Sequence, residues 1–147
     1  MVILQANFFG DVNLGIYAKV TEDFCIIGNA LAEKYLLLLE RTFQTKTFVS
    51  SVALTDLVGI FLAANSNGIV LPQILAAKEL ENFKKFSKTH ALNLAILPSK
   101  QTALGNLILC NNKGAIISKN FSRKEGRQIA DCLGVEVEFS NIAGLRT

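Results

Sequence analysis

The run Val58-Gly59-Ile60-Phe61-Leu62-Ala63-Ala64-Asn65-Ser66-Asn67-Gly68-Ile69-Val70-Leu71-Pro72 joins two apolar segments through a four-residue polar corner and closes on a proline. It reads as a tight β-hairpin, because Asn67-Gly68 is a strong short-range hairpin signal and both residues tolerate the positive φ of a primed turn. On this reading Asn67 and Gly68 are structural turn residues. The pattern occurs again at Gly105-Asn106-Leu107-Ile108-Leu109-Cys110-Asn111-Asn112-Lys113-Gly114-Ala115-Ile116-Ile117-Ser118. Forty-six residues separate Gly59 from Gly105, and 46 separate Gly68 from the matching turn residue Gly114. A diverged copy lies upstream, with Gly15 placed 44 residues before Gly59 and Phe24 where the other copies have the turn glycine.

Outward from the hairpins, the same order of elements repeats. Residues 2–7 and 13–20 read as strands, and Val20 to Gly28 completes the first hairpin. Asn29 is placed to cap a helix over about 30–42 whose Leu31, Tyr35 and Leu38 share a face. Thr47 to Ala53 is rich in β-formers and leads into the central hairpin, with Val58 to Ala64 as its first strand. A second helix carries Ala76, Leu80, Phe83 and Ser87 at helical spacing, with Lys78, Lys84, Lys85 and Lys88 pointing to water. Asn93 to Leu97 returns as a strand. After the third hairpin, Ser122-Arg123-Lys124-Glu125 is a capping box and Gly134 a stop, so that Gly126, Ile129, Ala130 and Leu133 form a buried helical face. Val135 to Phe139 alternates as a half-buried strand.

The fold class is therefore α+β, built from ββαβ repeats of about 45 residues spanning approximately 2–53, 54–99 and 100–147. Units of this kind cannot bury their own apolar faces and must stack on neighbours. Half of the 147 residues are hydrophobic and 18% are charged, which argues for a packed core and against disorder. The longest nearly apolar stretch, Val52 to Ala64, is interrupted by Asp56 and is shorter than the roughly 18 residues of a membrane span. Nothing at the N-terminus resembles a secretory leader, so a cytosolic location and no membrane partner are expected. Cys25, Cys110 and Cys132 are odd in number and lack C-x-x-C spacing, which points to reduced thiols rather than disulfides or zinc. The net charge of +3 is unevenly distributed: residues 78–127 carry ten basic and three acidic side chains, the remainder five and nine. One sector of the surface should be positive, as a solvated face or as a site for a phosphate- or carboxylate-rich partner.

Ala64-Asn65-Ser66-Asn67-Gly68-Ile69-Val70-Leu71-Pro72, Thr102-Ala103-Leu104-Gly105-Asn106 and Cys110-Asn111-Asn112-Lys113-Gly114 resemble the archaeal and eukaryotic translation initiation factor 6 family, the archaeal form more closely. Asn13-Leu14-Gly15-Ile16-Tyr17-Ala18, Leu133-Gly134-Val135-Glu136-Val137 and Asn141-Ile142-Ala143-Gly144 extend the resemblance over essentially the whole chain. It implies a pentein-type β/α propeller of five units, of which about three are present here, so that the domain 1–147 is expected to be incomplete at its C-terminus. It implies binding to the large ribosomal subunit, which prevents premature association with the small subunit, and a role in large-subunit maturation. The partners it implies are ribosomal proteins at the intersubunit face, near the sarcin-ricin loop RNA. No catalysis and no cofactor or metal are implied. In the family the asparagine of the Thr-Ala-Leu-Gly-Asn motif faces the ribosome, which here is Asn106, and Lys100 and Lys113 join it as candidate ribosome-binding residues. Self-association of the incomplete ring is a further expectation, since missing units leave strand edges and apolar surface open.

Two other functions fit parts of the chain. A pentein-fold guanidino-modifying enzyme would need a base beside a nucleophile, yet the single histidine, His90, falls in the turn after the second helix and no carboxylate motif accompanies the cysteines. A generic RNA-binding module would use the lysines of 78–127, but no stacking aromatics interleave with them.

Overall fold

In a computed structural model of the chain, which describes residues 5–141, nine strands form three separate three-stranded sheets. The first contains β1 (Ala18–Val20), β2 (Phe24–Ile27) and β3 (Lys46–Val49); the second β4 (Ala63–Ala64), β5 (Gly68–Pro72) and β6 (Asn93–Leu97); the third β7 (Ile108–Cys110), β8 (Ala115–Ser118) and β9 (Val137–Ser140). Each sheet has its first two strands antiparallel and its third parallel to the second. A parallel partner needs a crossover, supplied in turn by α1 (Asn29–Phe43), α3 (Ala77–Thr89) and α5 (Arg123–Leu133).

The sheets and helices alternate as layers. Phe24, Ile26 and Phe48 of the first sheet meet Phe83 and Phe86 of α3, which on its other side covers Ile69 and Leu71 of the second sheet. The Phe48 and Phe86 rings stack at 4.2 Å, and Phe24 meets Phe86 edge-on at 5.6 Å. Val70 and Leu97 of the second sheet meet Ile129, Cys132 and Leu133 of α5, which also covers Ile117 of the third. Each internal sheet thus has its own helix on one face and the next unit's helix on the other. Fully burying an aromatic or aliphatic side chain contributes about 1.5–3 kcal/mol, so the contacts between units add to the stability that each unit's own packing supplies.

Several expectations change. The first half of the central run is helical: α2 (Val58–Phe61) and α4 (Leu104–Leu107) are single turns, and Leu14–Ile16 is a 3-10 turn at the same place in the first unit. An apolar run this short fits either period; backbone packing of Gly15, Gly59 and Gly105 decides for the turn. A Cβ on Gly59 would land on the Gly15 carbonyl oxygen, and one on Gly105 on the Gly59 carbonyl oxygen. The first hairpin strand is accordingly only Ala63–Ala64. Residues 5–7 form no strand, while 2–4 lie outside the described residues, as do 142–144 of the last motif. The strand expected over 47–53 stops at Val49, and Gly28 rather than Asn29 is the N-cap of α1. In α1, Leu31, Tyr35 and Leu39 are buried, but Leu38 is 39% exposed.

Primed turns exist, but away from the Asn-Gly corners. Ala53 and Leu54 (φ 53° and 60°) and Phe9 and Gly10 (φ 55° and 84°) take the left-handed conformation inside the bridges Val52–Thr55 and Phe8–Asp11. A left-handed non-glycine residue costs roughly 1–2 kcal/mol, so the Ala53-Leu54 turn needs support. It comes from Glu79, which is buried and accepts hydrogen bonds from Leu54 N–H at 2.8 Å and Ala76 N–H at 2.9 Å. Ala76 has no side-chain oxygen, so this is the carboxylate half of a capping box only. Burial alone would raise the Glu79 pKa, but hydrogen bonds from the Ser51 hydroxyl and three backbone N–H groups outweigh it and hold the carboxyl below its usual range. A depressed carboxyl contributes stability that is complete above its unfolded pKa and is lost as pH falls through the folded value. Glu79→Ala should destabilise by about 2 kcal/mol at pH 7, and denaturant melts should show a shallower loss of stability below about pH 4.5 than in the parent. An unchanged acid limb would remove Glu79 from this role.

Candidate functional site

The polar corners of the two complete hairpins share one construction. Asn65 Oδ1 accepts from Asn67 N–H at 3.0 Å and Gly68 N–H at 3.1 Å, and Asn111 Oδ1 accepts from Lys113 N–H at 2.8 Å and Gly114 N–H at 3.0 Å. These side-chain-to-backbone turns replace the primed turn, and neither Gly68 nor Gly114 has a positive φ. The two glycines therefore differ in what they do. At Gly68 a Cβ would strike the Cys132 carbonyl oxygen, whereas at Gly114 the nearest atom is Glu136 O at 3.8 Å.

The first corner is a lock between units. Asn65 Nδ2 donates to Leu133 O at 2.8 Å and Asn111 O at 3.0 Å, Asn67 Nδ2 to Leu133 O at 2.9 Å, and Asn93 Nδ2 to Cys132 O at 3.1 Å. Ser66 N–H donates to Asn112 Oδ1 at 2.9 Å, and Asn112 Nδ2 to Ser66 Oγ at 3.1 Å. The carbonyls at the C-terminal end of α5 have no partner within the helix, and the amides of the preceding unit satisfy them. Sequence reading makes Asn67 a turn residue and misses this role of Asn65, Asn67 and Asn93. Asn-Ser-Asn is a common turn composition, and nothing local distinguishes an amide used across units.

Asn106 is the third residue of α4, where Ile16 and Ile60 stand in the two earlier turns, and its N–H bonds Ala103 O at 3.1 Å. Its side chain is exposed. Lys100, also exposed, lies in the loop leading to that turn, while exposed Lys113 sits at the far corner of the β7–β8 hairpin. Asn106 and Lys100 are thus near one end of the third hairpin and Lys113 is at the other. The remaining basic side chains of 78–127 are carried mainly on the exposed sides of α3 and α5.

The thiols are held protonated. Burial pushes Cys25 up to about 12 and Cys132 up to about 11, and raises partly buried Cys110 as well. Cys110 Sγ donates to Ala64 O at 3.4 Å and Cys132 Sγ to Ile69 O at 3.3 Å, both across units. A neutral buried thiol is a poor nucleophile. His90 caps the end of α3, with Nδ1 3.0 Å from Phe86 O. Among the described residues no group of three His, Cys, Asp or Glu is placed to hold a metal ion, and no helix is long and apolar enough to cross a membrane.

Comparison with known proteins matches residues 3–147 to the eIF-6 family. The chain belongs to that family. It is 38% identical over 147 residues to translation initiation factor 6 of Pyrococcus horikoshii, covering 99% of this chain and 65% of that protein. To the factor of Staphylothermus marinus it is 33% identical over 145 residues, with 99% and 64% covered, and to that of Cenarchaeum symbiosum 35% over 144 residues, with 98% and 64% covered. The chain of this eIF-6 family member therefore spans a little under two thirds of the length of these relatives. The interlocked asparagine corners and the stacked glycine turns lie wholly within the part matched to the eIF-6 family.

Proposed function

We propose that this protein acts as a ribosomal anti-association factor: it binds the large ribosomal subunit, prevents premature joining of the small subunit, and takes part in large-subunit maturation in the cytoplasm. What carries this reading is the match to the eIF-6 family across residues 3–147, together with relatives named translation initiation factor 6. The three ββαβ units are then part of a pentein-type ring of five. On this proposal Asn106 and Lys100 contact the subunit, and Lys113 adds a positive charge at the other end of the hairpin. The basic surfaces of α3 and α5 suit nearby ribosomal RNA such as the sarcin-ricin loop, through sequence-independent phosphate contacts. The protonated thiols give no support to a guanidino-modifying activity.

Among the described residues the exposed Asn106 amide has no hydrogen-bond partner, so it can supply both donor and acceptor to another molecule. Losing it there costs roughly 1–3 kcal/mol, about tenfold or more in affinity. Asn106→Ala should weaken co-sedimentation with isolated large subunits by about that factor and leave the melting temperature unchanged. Parent and variant binding equally would remove Asn106 from the interface, and failure of the parent to sediment with large subunits would overturn the function.

A further inference from the structure

Of the asparagines in the chain, Asn67 alone precedes a glycine, and that pair has a chemistry of its own. In an open chain the Gly68 nitrogen can reach Asn67 Cγ, because glycine has no Cβ to hinder the approach. The nitrogen gives its proton to water and bonds to Cγ, the Cγ–Nδ2 bond breaks, and Nδ2 leaves as ammonia. Water then opens the resulting succinimide at Cγ to give aspartate, or at the Asn67 main-chain carbonyl carbon to give isoaspartate. Water is the one co-reactant consumed.

In the folded molecule the groups this reaction needs are already committed. Gly68 is buried, and its N–H donates to Asn65 Oδ1 at 3.1 Å. Asn67 Nδ2, the leaving group, donates to Leu133 O at 2.9 Å, and a Cβ on Gly134 would lie 3.1 Å from that nitrogen. The main chain is pinned as well: Asn67 N–H donates to Asn65 Oδ1 at 3.0 Å, and Asn67 O accepts from Asn93 N–H at 2.9 Å. Asn67 itself is exposed, so water reaches it, and geometry rather than access restrains the reaction. Leu133 and Gly134 belong to the third unit, so part of that restraint comes from docking. The matching corner shows that the turn does not need the amide, since Lys113 stands in place of Asn67 with the same two bonds to Asn111 Oδ1. The amide at position 67 serves the link to α5 and brings the reactive pair with it.

We infer that Asn67-Gly68 is a site of spontaneous deamidation, held off while the second and third units are docked and released when they part. Folded proteins make such local openings without unfolding as a whole. The product makes the parting permanent. Aspartate offers only acceptors and sets a carboxylate against Leu133 O, while isoaspartate adds a main-chain atom at the entry to β5, where residues 68–72 are all buried.

Peptide mapping by mass spectrometry of the 147-residue chain, aged in mildly alkaline buffer beside a free peptide of residues 64–72, tests this. Asn67 in the folded chain should deamidate about ten- to a thousandfold more slowly than in the peptide, the range for an open state populated at about 0.1–10%. Asn93→Ala should speed the reaction about fivefold, the change in open population from losing one net hydrogen bond. Asn93 Nδ2 donates to Cys132 O at 3.1 Å and touches neither reacting atom. Urea below the unfolding midpoint should speed the parent too, with no substitution at all. The deamidated fraction, separated by ion exchange, should unfold at lower urea than the intact one. Deamidation of the parent at the peptide's rate would overturn the inference. So would a rate that neither Asn93→Ala nor urea changes, or a deamidated fraction as stable as the intact one.

Discussion

Gly105→Ala will lower the melting temperature by about 10 °C, a loss of about 3 kcal/mol, even though it adds a single methyl group to a helical turn. Alanine is ordinarily the better helix former by about 1 kcal/mol, so propensity alone gives the opposite sign. Packing decides instead. The new Cβ would overlap the Gly59 carbonyl oxygen and lie 2.9 Å from Leu62 O, and both are backbone atoms of the neighbouring unit. They cannot move without separating α2 from α4. Gly59→Ala meets the Gly15 carbonyl oxygen in the same way and should cost as much. Gly15 is the control: among the described residues a methyl group there would have nothing within 4 Å, and its φ is not positive, so Gly15→Ala should be neutral or slightly stabilising. Thermal melts of the three variants check this. Equal effects at all three glycines would show that local turn conformation, not the stacking of units, sets the requirement.

Asn65→Asp is expected to destabilise by about 3–5 kcal/mol, the range for leaving a charge buried without a partner. Asn65 is 2% exposed, and its amide group faces the Leu133 and Asn111 carbonyl oxygens. An aspartate keeps the acceptor for Asn67 and Gly68 N–H but turns its second oxygen toward two carbonyls, with no donor between them. The charge would be relieved by protonation, so the variant should recover stability as pH falls, opposite in sign to the parent's dependence on Glu79. Asn111 makes the same local turn but is exposed. Asn111→Asp should therefore cost well under about 1 kcal/mol, as surface substitutions do. Urea melts of both variants between about pH 4 and 8 separate the two roles. Similar losses at both positions would mean that the turn, and not the link to α5, is what Asn65 supplies.

Much of this molecule follows from its sequence because the signals are local and repeated. Glycine and asparagine landmarks at a 44–46-residue spacing mark the units, helical periodicity places Phe83 and Ile129 in the core, and the Ser122–Glu125 capping box forms with bonds of 3.2 and 2.6 Å. The candidate contacts Asn106, Lys100 and Lys113 come from family resemblance, with exposure as the added structural observation. What only the tertiary structure decided is how the units meet. Val58 to Phe61 is apolar enough for either a strand or a turn, and the approach of Gly59 to Gly15 selects the turn. Leu38 belongs by periodicity with Leu31 and Tyr35, yet stays exposed because no described sheet lies over that side of α1. Gly68 and Gly114 look alike in sequence, but only Gly68 has α5 against it. In each case the deciding atoms belong to a different unit, far away along the chain, and so leave no mark on the local pattern.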